Sequence, residues 1–173
     1  MDTEVFIPKH DSGLRKKFGL RDESFVVGYV GMFQKSRMQK EIIDGFFQFK
    51  KMKENSQLLM VGAGETLGDI ERYAFRKLGK NDVIFTGFIE NQRLVDAYNV
   101  MDLFILLKGG HDSSLRMLYE AQSCGTYILT YRSYPARRLI ETTGYGGLID
   151  DSEDTFGVAE SIFSSEGFIR GKL

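Results

Sequence analysis

The chain has 173 residues, of which 42% are hydrophobic and 27% charged, and its formal net charge is −1. These values fit one globular domain with a substantial core, and the near-zero charge argues against a nucleic-acid surface. The single cysteine, Cys124, excludes an internal disulfide and suits packing better than catalysis, while the absence of a signal peptide or an apolar run of about 18 residues argues against secretion and membrane insertion.

Apolar runs alternate with helical stretches along the whole chain. The predicted strands are Phe25–Val30, Gln57–Val61, Val83–Phe85, Leu103–Leu107, Tyr127–Thr130 and Gly147–Ile149. The predicted helices are Lys40–Lys53, Leu67–Leu78, Asn91–Tyr98, Ser114–Ser123 and Pro135–Glu141, and another begins near Asp154. Because the strands are near-continuous apolar runs, we expect helices on both faces of their sheet. The pattern predicts an α/β fold with a single doubly wound parallel sheet.

Four loops are expected to meet at one edge of this sheet. Each follows a predicted strand, and together they are Gly31–Arg37, Gly62–Glu65, Gly87–Glu90 and Gly109–Ser114. The carboxyl ends of parallel strands share an edge, and open α/β sheets bind their ligands there. We call this edge the rim and place the predicted site on it.

The segment from Asp112 to Gly125 is the most informative part of the chain. Gly125 suits the position just past a helix end, so Asp112 lies at the helix start and Glu120 about two turns further. Unpaired amides at a helix start attract anions, and carboxylates accept hydrogen bonds from hydroxyls. Both features together suit a nucleotide-sugar. An N-cap acid and a solvated glutamate would explain the same spacing without a ligand.

This segment resembles the donor-site signature of the family 4 (group 1) retaining glycosyltransferases. In that signature an acidic residue, seven others and a glutamate precede a small-residue helix that ends in glycine, as they do here. The similarity covers about residues 2 to 150. It implies one Rossmann-like half of a GT-B enzyme, with residues 1–173 as the donor-binding domain and the acceptor-binding N-terminal domain outside the chain. The alternative to one half of a longer enzyme is a small natural protein.

The resemblance assigns a role to each candidate site residue. Asp112 and Glu120 become the catalytic pair, in contact with hydroxyls of the donor sugar and of the ribose, which requires Glu120 to face the rim rather than the interior. The donor-binding residues are Gly31, Lys35, Arg37, Gly62, Gly64, Gly87, Phe88, Ile89, Ser113, Ser114, Leu115 and Arg116.

Two of the diphosphate contacts have alternatives, the second cation and Arg116. Arg37 stands where the family has a lysine, and Met32 stands where the family has an arginine. Either Lys35 supplies the second cation or the donor binds more weakly than in the family. Arg116 either joins the phosphate contacts or pairs with Glu120 at the i,i+4 spacing.

The remaining contacts in this scheme come from the backbone. Amides of residues 113–115 would face the diphosphate, and backbone groups of residues 87–89 would hold the base. Gly62 and Gly64 would let another group approach the backbone closely, and together with Gly68 they form a spacing close to a dinucleotide-binding fingerprint.

The resemblance implies a hexosyltransferase-type enzyme that retains the anomeric configuration. It would move a sugar from a UDP- or GDP-linked donor to an acceptor hydroxyl without a cofactor or metal, and neither His10 nor His111 has metal-ligand partners at a useful spacing. We expect the isolated domain to be inactive. The family suggests polysaccharide biosynthesis in the cytoplasm, with peripheral membrane association through the other domain left open. A degenerate non-catalytic scaffold, favoured by Met32, and a nicotinamide-dinucleotide-binding domain are the alternatives.

Overall fold

Six parallel strands form the sheet of this computed structural model, which describes residues 5–9, 13–108, 113–150 and 154–170. The strands are Phe25–Val30 (β1), Ser56–Val61 (β2), Val83–Gly87 (β3), Leu103–Leu106 (β4), Tyr127–Tyr131 (β5) and Gly146–Ile149 (β6). They are ordered β3-β2-β1-β4-β5-β6, and every pair is parallel. The predicted doubly wound α/β fold is therefore confirmed.

The described helices form two groups that cover the sheet. They are Leu14–Lys17 (α1), Gln39–Met52 (α2), Leu67–Lys77 (α3), Asn91–Val100 (α4), Ser113–Ser123 (α5), Tyr134–Thr143 (α6) and Thr155–Arg170 (α7). Helix α2 packs against α3 and α7, whereas α4 packs against α1 and α5, and α5 against α6. Every residue of β1 and β2 is buried, as a sheet covered on both faces requires.

The predicted boundaries of the strands and helices lie within two residues of the observed ones. Two elements were not predicted, the four-residue helix α1 and a 3-10 turn at Lys35–Arg37, because both are too short to show a periodic apolar pattern. The helix expected near Asp154 does begin there, since the Asp154 carboxylate accepts hydrogen bonds from the amides of Phe156 and Gly157 at 3.0 and 3.2 Å.

A half-buried polar cluster lies at the end of the sheet opposite the rim. Both carboxylate oxygens of Asp102 accept hydrogen bonds from Arg15, at 2.9 and 3.1 Å, and one also accepts from the amide of Val26 at 2.7 Å. This cluster ties α1 to the starts of β1 and β4. The cluster thus fixes β1 and β4 at the end opposite the rim, and the rim ends of these two strands carry the site.

The backbone at Met38 is strained. Among the described residues it is the one non-glycine residue with a positive φ, 57°, and it joins the Lys35–Arg37 turn to the start of α2. A β-carbon in this conformation costs about 1 kcal/mol, which glycine avoids.

We therefore expect Met38→Gly to be more stable than Met38→Ala by about 1 kcal/mol in urea unfolding. Both variants lose the methionine side chain, so the comparison isolates the effect of the β-carbon on the backbone. Equal stability, or a more stable alanine variant, would contradict the strain at this position.

Candidate functional site

The loops after β1, β2 and β3 lie side by side at the rim. The amide of Gly31 donates to the carbonyl of Val61 at 3.0 Å, and the amide of Gly62 donates to the carbonyl of Gly87 at 3.0 Å. These bonds extend the sheet ladder into the loops and confirm that the three predicted loops share one edge. The fourth loop is only partly described, and Asp112 lies outside the described residues together with Gly109, Gly110 and His111.

Gly62 and Gly64 provide close backbone approach, and the group that approaches is the loop after β1. A β-carbon on Gly62 would lie 1.9 Å from the carbonyl oxygen of Gly31, and one on Gly64 would lie 2.2 Å from that of Phe33. Gly62 also has a φ of 133°, which side chains rarely adopt. The room made by the two glycines is thus filled by the protein itself, and contact with a donor stays a prediction for both.

Arg37 and Lys35 leave the β1 loop on different sides. The Arg37 side chain is only 9% exposed, and its Nη1 lies 3.5 Å from the carbonyl oxygen of Lys108, just after β4. The exposed Lys35 lines a pocket of about 180 Å³ together with Thr66 and Ile70, on the side of α3.

The strand order shows which of these two side chains lies closer to the expected ligand site. The chain runs from β1 outward to β3 and returns to β4 on the other side of β1, so the β1–β4 boundary is the point where the order reverses. Doubly wound sheets bind ligands at such a switch point. Arg37 lies there with its charge, whereas Lys35 lies beside α3, so Arg37 is the better placed of the two for an anion. Met32 is 59% exposed on the same loop and brings no charge.

The turn after β3 presents an aromatic ring to solvent. Gly87 has a φ of 66°, which favours glycine, and its carbonyl accepts hydrogen bonds from Gly62 and from the Thr86 hydroxyl. Phe88 is 79% exposed, and Ile89 packs partly against the core. Because the Gly87 carbonyl already has two donors, base recognition by this turn would use the backbone of Phe88 and Ile89.

Helix α5 has the start and the end that the sequence predicts. It begins at Ser113, beside the rim, and Gly125 follows its end with a φ of 81°. The amide of Thr126 donates back to Ala121 at 3.0 Å, which closes the last turn in a Schellman arrangement. The backbone of residues 113–115 therefore forms the first helical turn, where amides can face an anion.

The Glu120 carboxylate is turned inward, contrary to the requirement that it face the rim. It is 3% exposed; its Oε1 accepts from the Nε of Arg116 at 2.6 Å, and its Oε2 accepts from the hydroxyl of Tyr98 at 3.3 Å. That expectation is wrong for this structure, because a cation on the same helix and a buried phenol hold one oxygen each and keep the carboxylate inside. Of the two options left open for Arg116, the ion pair with Glu120 is the one observed.

Tyr98 is the site residue that the sequence did not reveal. It lies on α4, 22 residues before Glu120, and no local pattern links the two positions. Burial, together with the negative charge of Glu120, raises the pKa of Tyr98 well above 10, so the hydroxyl keeps its proton and remains a donor. Burial, with a further contribution from Glu120, also raises the pKa of Cys124 to about 11, which agrees with a packing role.

The described parts of the chain contain neither a cluster of metal-ligating side chains nor a membrane-spanning helix. No group of three or more His, Cys, Asp or Glu side chains there could hold a metal ion. None of the described helices is long and apolar enough to cross a membrane.

Solved structures share this fold over nearly the whole chain. HepE from Anabaena, crystallised with UDP-glucose, superposes with a TM-score of 0.82 at 21% identity, covering 98% of this chain and 47% of that protein. The C-terminal domain of the group 1 glycosyltransferase LpcC from Francisella tularensis gives a TM-score of 0.76 at 18% identity, covering 98% of this chain and 90% of that domain.

Curated relatives and a family model add sequence evidence. A GDP-mannose-dependent monoacylated α-(1-6)-phosphatidylinositol monomannoside mannosyltransferase from Corynebacterium glutamicum is 28% identical over 88% of this chain and 41% of its own length. The α-monoglucosyldiacylglycerol synthase of Acholeplasma laidlawii is 24% identical over 53% of this chain and 23% of its own length. The chain thus spans less than half the length of either relative. The model of the glycosyl transferases group 1 family matches residues 12–162, and the chain belongs to this family.

Proposed function

We propose that the chain is the donor-binding domain of a retaining hexosyltransferase that uses a UDP- or GDP-linked sugar. The observation that carries this proposal is the position of Arg37, whose buried guanidinium lies beside the carbonyl of Lys108 at the switch point of the sheet. Lys108 and the first turn of α5 both follow β4, and Arg37 follows β1. The cation and the helix amides therefore both lie at the junction of β1 and β4. A diphosphate is the group that both would bind.

The proposed chemistry follows from that convergence. When the bond between the sugar and the diphosphate breaks, negative charge grows on the departing phosphate oxygen. Fixed donors aimed at this oxygen lower the barrier because they need no reorganisation, and Arg37 with the amides of residues 113–115 would be such donors. Asp112 would orient the sugar through its hydroxyls, and Glu120 would bind the ribose after its carboxylate leaves the inward position that it has in this structure. Because Arg37 and the helix amides would neutralise the leaving group, the reaction would need no metal.

The acceptor side is proposed to lie in a further domain. Both curated relatives are more than twice as long as the segment that this chain matches. Their names specify glycolipids, which supports a lipid acceptor. We propose that this acceptor lies at the inner face of a membrane and that the enzyme builds envelope glycoconjugates. We accordingly expect the 173-residue chain to bind a donor nucleotide without transferring sugar.

Titration of the chain with UDP, GDP and NAD, followed by NMR, tests the proposal. We expect saturable binding of UDP or GDP and none of NAD. Saturation by NAD alone would favour a dinucleotide-binding domain, and no binding of any of the three would favour a non-catalytic scaffold. The names of the relatives support both bases, since one is GDP-mannose-dependent and HepE was crystallised with UDP-glucose.

Glu120→Gln should weaken binding of the preferred nucleoside diphosphate by about tenfold, because charged acceptors hold hydroxyls more strongly than neutral ones. Glu166→Gln is a matched control. Glu166 is also 3% exposed, and it pairs with Arg170 four residues away at 2.7 Å and with Lys53 at 3.3 Å, beyond the end of α2 opposite the rim. We expect Glu166→Gln to leave nucleotide affinity within about twofold of the wild type. Equal losses of nucleotide affinity in both variants would show that Glu120 is not part of the site.

A further inference from the structure

We propose that Arg116 is a positioning residue that locks Glu120 in place through their ion pair. The diphosphate of a donor then draws Arg116 away and frees the Glu120 carboxylate. This inference rests on the proposed function and adds a coupling between the phosphate and ribose parts of the site. It follows from three observations: the occupancy of the Glu120 carboxylate, the different freedom of its two partners, and the place of Arg116 on α5.

The first observation is that the Glu120 carboxylate is buried and has a partner at each oxygen. Arg116 holds Oε1 and Tyr98 holds Oε2, and the side chain is 3% exposed. Each oxygen could accept a second hydrogen bond, but because the side chain is 3% exposed, a ligand hydroxyl reaches the carboxylate only when one of the two partners moves away. Binding of a ribose at Glu120 and breakage of one of these contacts are the same event.

The second observation is that only one partner is free to move. The Tyr98 ring is fully buried and packs edge-on against Phe104 and Phe6, with ring centroids 5.6 and 6.1 Å away. The Arg116 side chain is 63% exposed and lies on the solvent side of the pair. An exposed arginine changes rotamer at little cost, whereas a packed aromatic ring does not. Arg116 is therefore the partner that leaves.

The third observation is where the released guanidinium would be. Arg116 is the fourth residue of α5, at the end of the helix whose dipole repels cations. Its charge is unfavourable there unless an anion is near, and the anion in this structure is Glu120. A diphosphate bound by the amides of the same helix start would be a second anion within reach of the side chain. Arg116 can then exchange a carboxylate for a phosphate, and Oε1 of Glu120 becomes available to the ribose.

This coupling predicts different effects on nucleosides and on nucleoside diphosphates. A nucleoside brings no phosphate, so it must break the Arg116–Glu120 pair without replacing it. Arg116→Met removes the lock, and we expect uridine or guanosine, whichever base the chain prefers, to bind about two- to threefold more tightly. The same variant should bind UDP or GDP more weakly, because a charged phosphate contact is lost. The preference for the diphosphate over the nucleoside should then fall about tenfold or more.

Arg170→Met is the matched control, since Arg170 pairs with the buried Glu166 at the same i,i+4 spacing on α7. It should leave both affinities unchanged. A folded Arg116→Met chain in which nucleoside affinity is unchanged or reduced would overturn the lock. Failure of the wild type to bind UDP or GDP would instead end the proposed function and the inference with it.

A measurement on the wild type keeps the test independent of how the variant folds. The side-chain Nε–H signal of Arg116, assigned through its backbone, should shift when UDP or GDP saturates the chain, because the group changes partner. A signal that stays in place at saturation would show that Arg116 remains on Glu120, and the lock would be wrong even though the nucleotide binds.

Discussion

Gly62→Ala should destabilise the fold by about 4 kcal/mol. A β-carbon at this position would lie 1.9 Å from a backbone oxygen of Gly31, and the φ of 133° is itself unfavourable for alanine. The steric overlap and the backbone strain are each expected to cost about 1–3 kcal/mol, and neither is relieved by a rotamer change because the obstacle is backbone. Urea unfolding followed by circular dichroism measures the loss directly.

Gly167→Ala is the control for the same chemical change in an open position. Gly167 lies on the exposed face of α7, and among the described residues no atom outside its neighbours and the backbone of its own helix lies within 4 Å of the place where its β-carbon would be. Alanine is the better helix former there, so this variant should gain about 0.5–1 kcal/mol. A loss of less than 1 kcal/mol in Gly62→Ala would mean that the β1 and β2 loops are not packed as described, and the position of Arg37 would then be in doubt.

Arg37→Met should reduce affinity for the preferred nucleoside diphosphate by about thirtyfold. The substitution keeps an apolar stem in a buried position but removes the one cation that the β1 loop places beside Lys108. Hydrogen bonds to charged groups contribute about 1.5–3 kcal/mol, which sets the size of the expected loss. The measurement is the dissociation constant from an NMR titration, with the unfolding free energy recorded for the same variant.

Lys35→Met separates the two cations of this loop. Because Lys35 lines the pocket beside α3, its loss should change the affinity by less than about threefold. Arg37→Lys should recover part of the affinity, since lysine retains the charge but loses the bidentate geometry. If Lys35→Met weakened binding more than Arg37→Met, the diphosphate would lie on the α3 side of the rim and not at the switch point.

Much of the fold could be predicted from the sequence because its signals are local. Strands such as β1 are uninterrupted apolar runs, and helix ends such as the one before Gly125 carry glycine where a positive φ is needed. The strand order could not be derived in the same way, since it depends on pairing between distant segments. The ion pair between Arg15 and Asp102, 87 residues apart, is another consequence of the fold that has no local signature.

The candidate site was predictable in outline and not in orientation. The spacing of Asp112 and Glu120 places a carboxylate on α5, but the direction in which Glu120 points depends on Tyr98 and on the rotamer of Arg116. Likewise, a basic loop after β1 is evident from the residues, whereas the divergence of Lys35 and Arg37 comes from the turn between them. The direction of a side chain on a helix or in a loop is set by packing and charge together, and the sequence pattern alone does not contain it.

The glycines after β2 allow close approach to the backbone, but not by the group that the sequence resemblance implies. Glycine at positions 62 and 64 does serve close approach, as the sequence predicts, but the approaching atoms belong to the neighbouring loop. The two glycines therefore act on the site through the β1 loop, which they hold against the β2 loop. Their effect on binding would come from the placement of Arg37.

Mapping amide chemical-shift changes during titration with UDP and GDP is the most direct measurement of where a nucleotide binds. We predict that saturation shifts the signals of residues 31–37, 87–90 and 113–116 on the rim, and that the start of α7 and the Arg15–Asp102 cluster stay unchanged. Shifts confined to the groove that Tyr119, Gln122 and Arg138 line between α5 and α6, or to the end of the sheet opposite the rim, would contradict a donor site at the junction of β1 and β4.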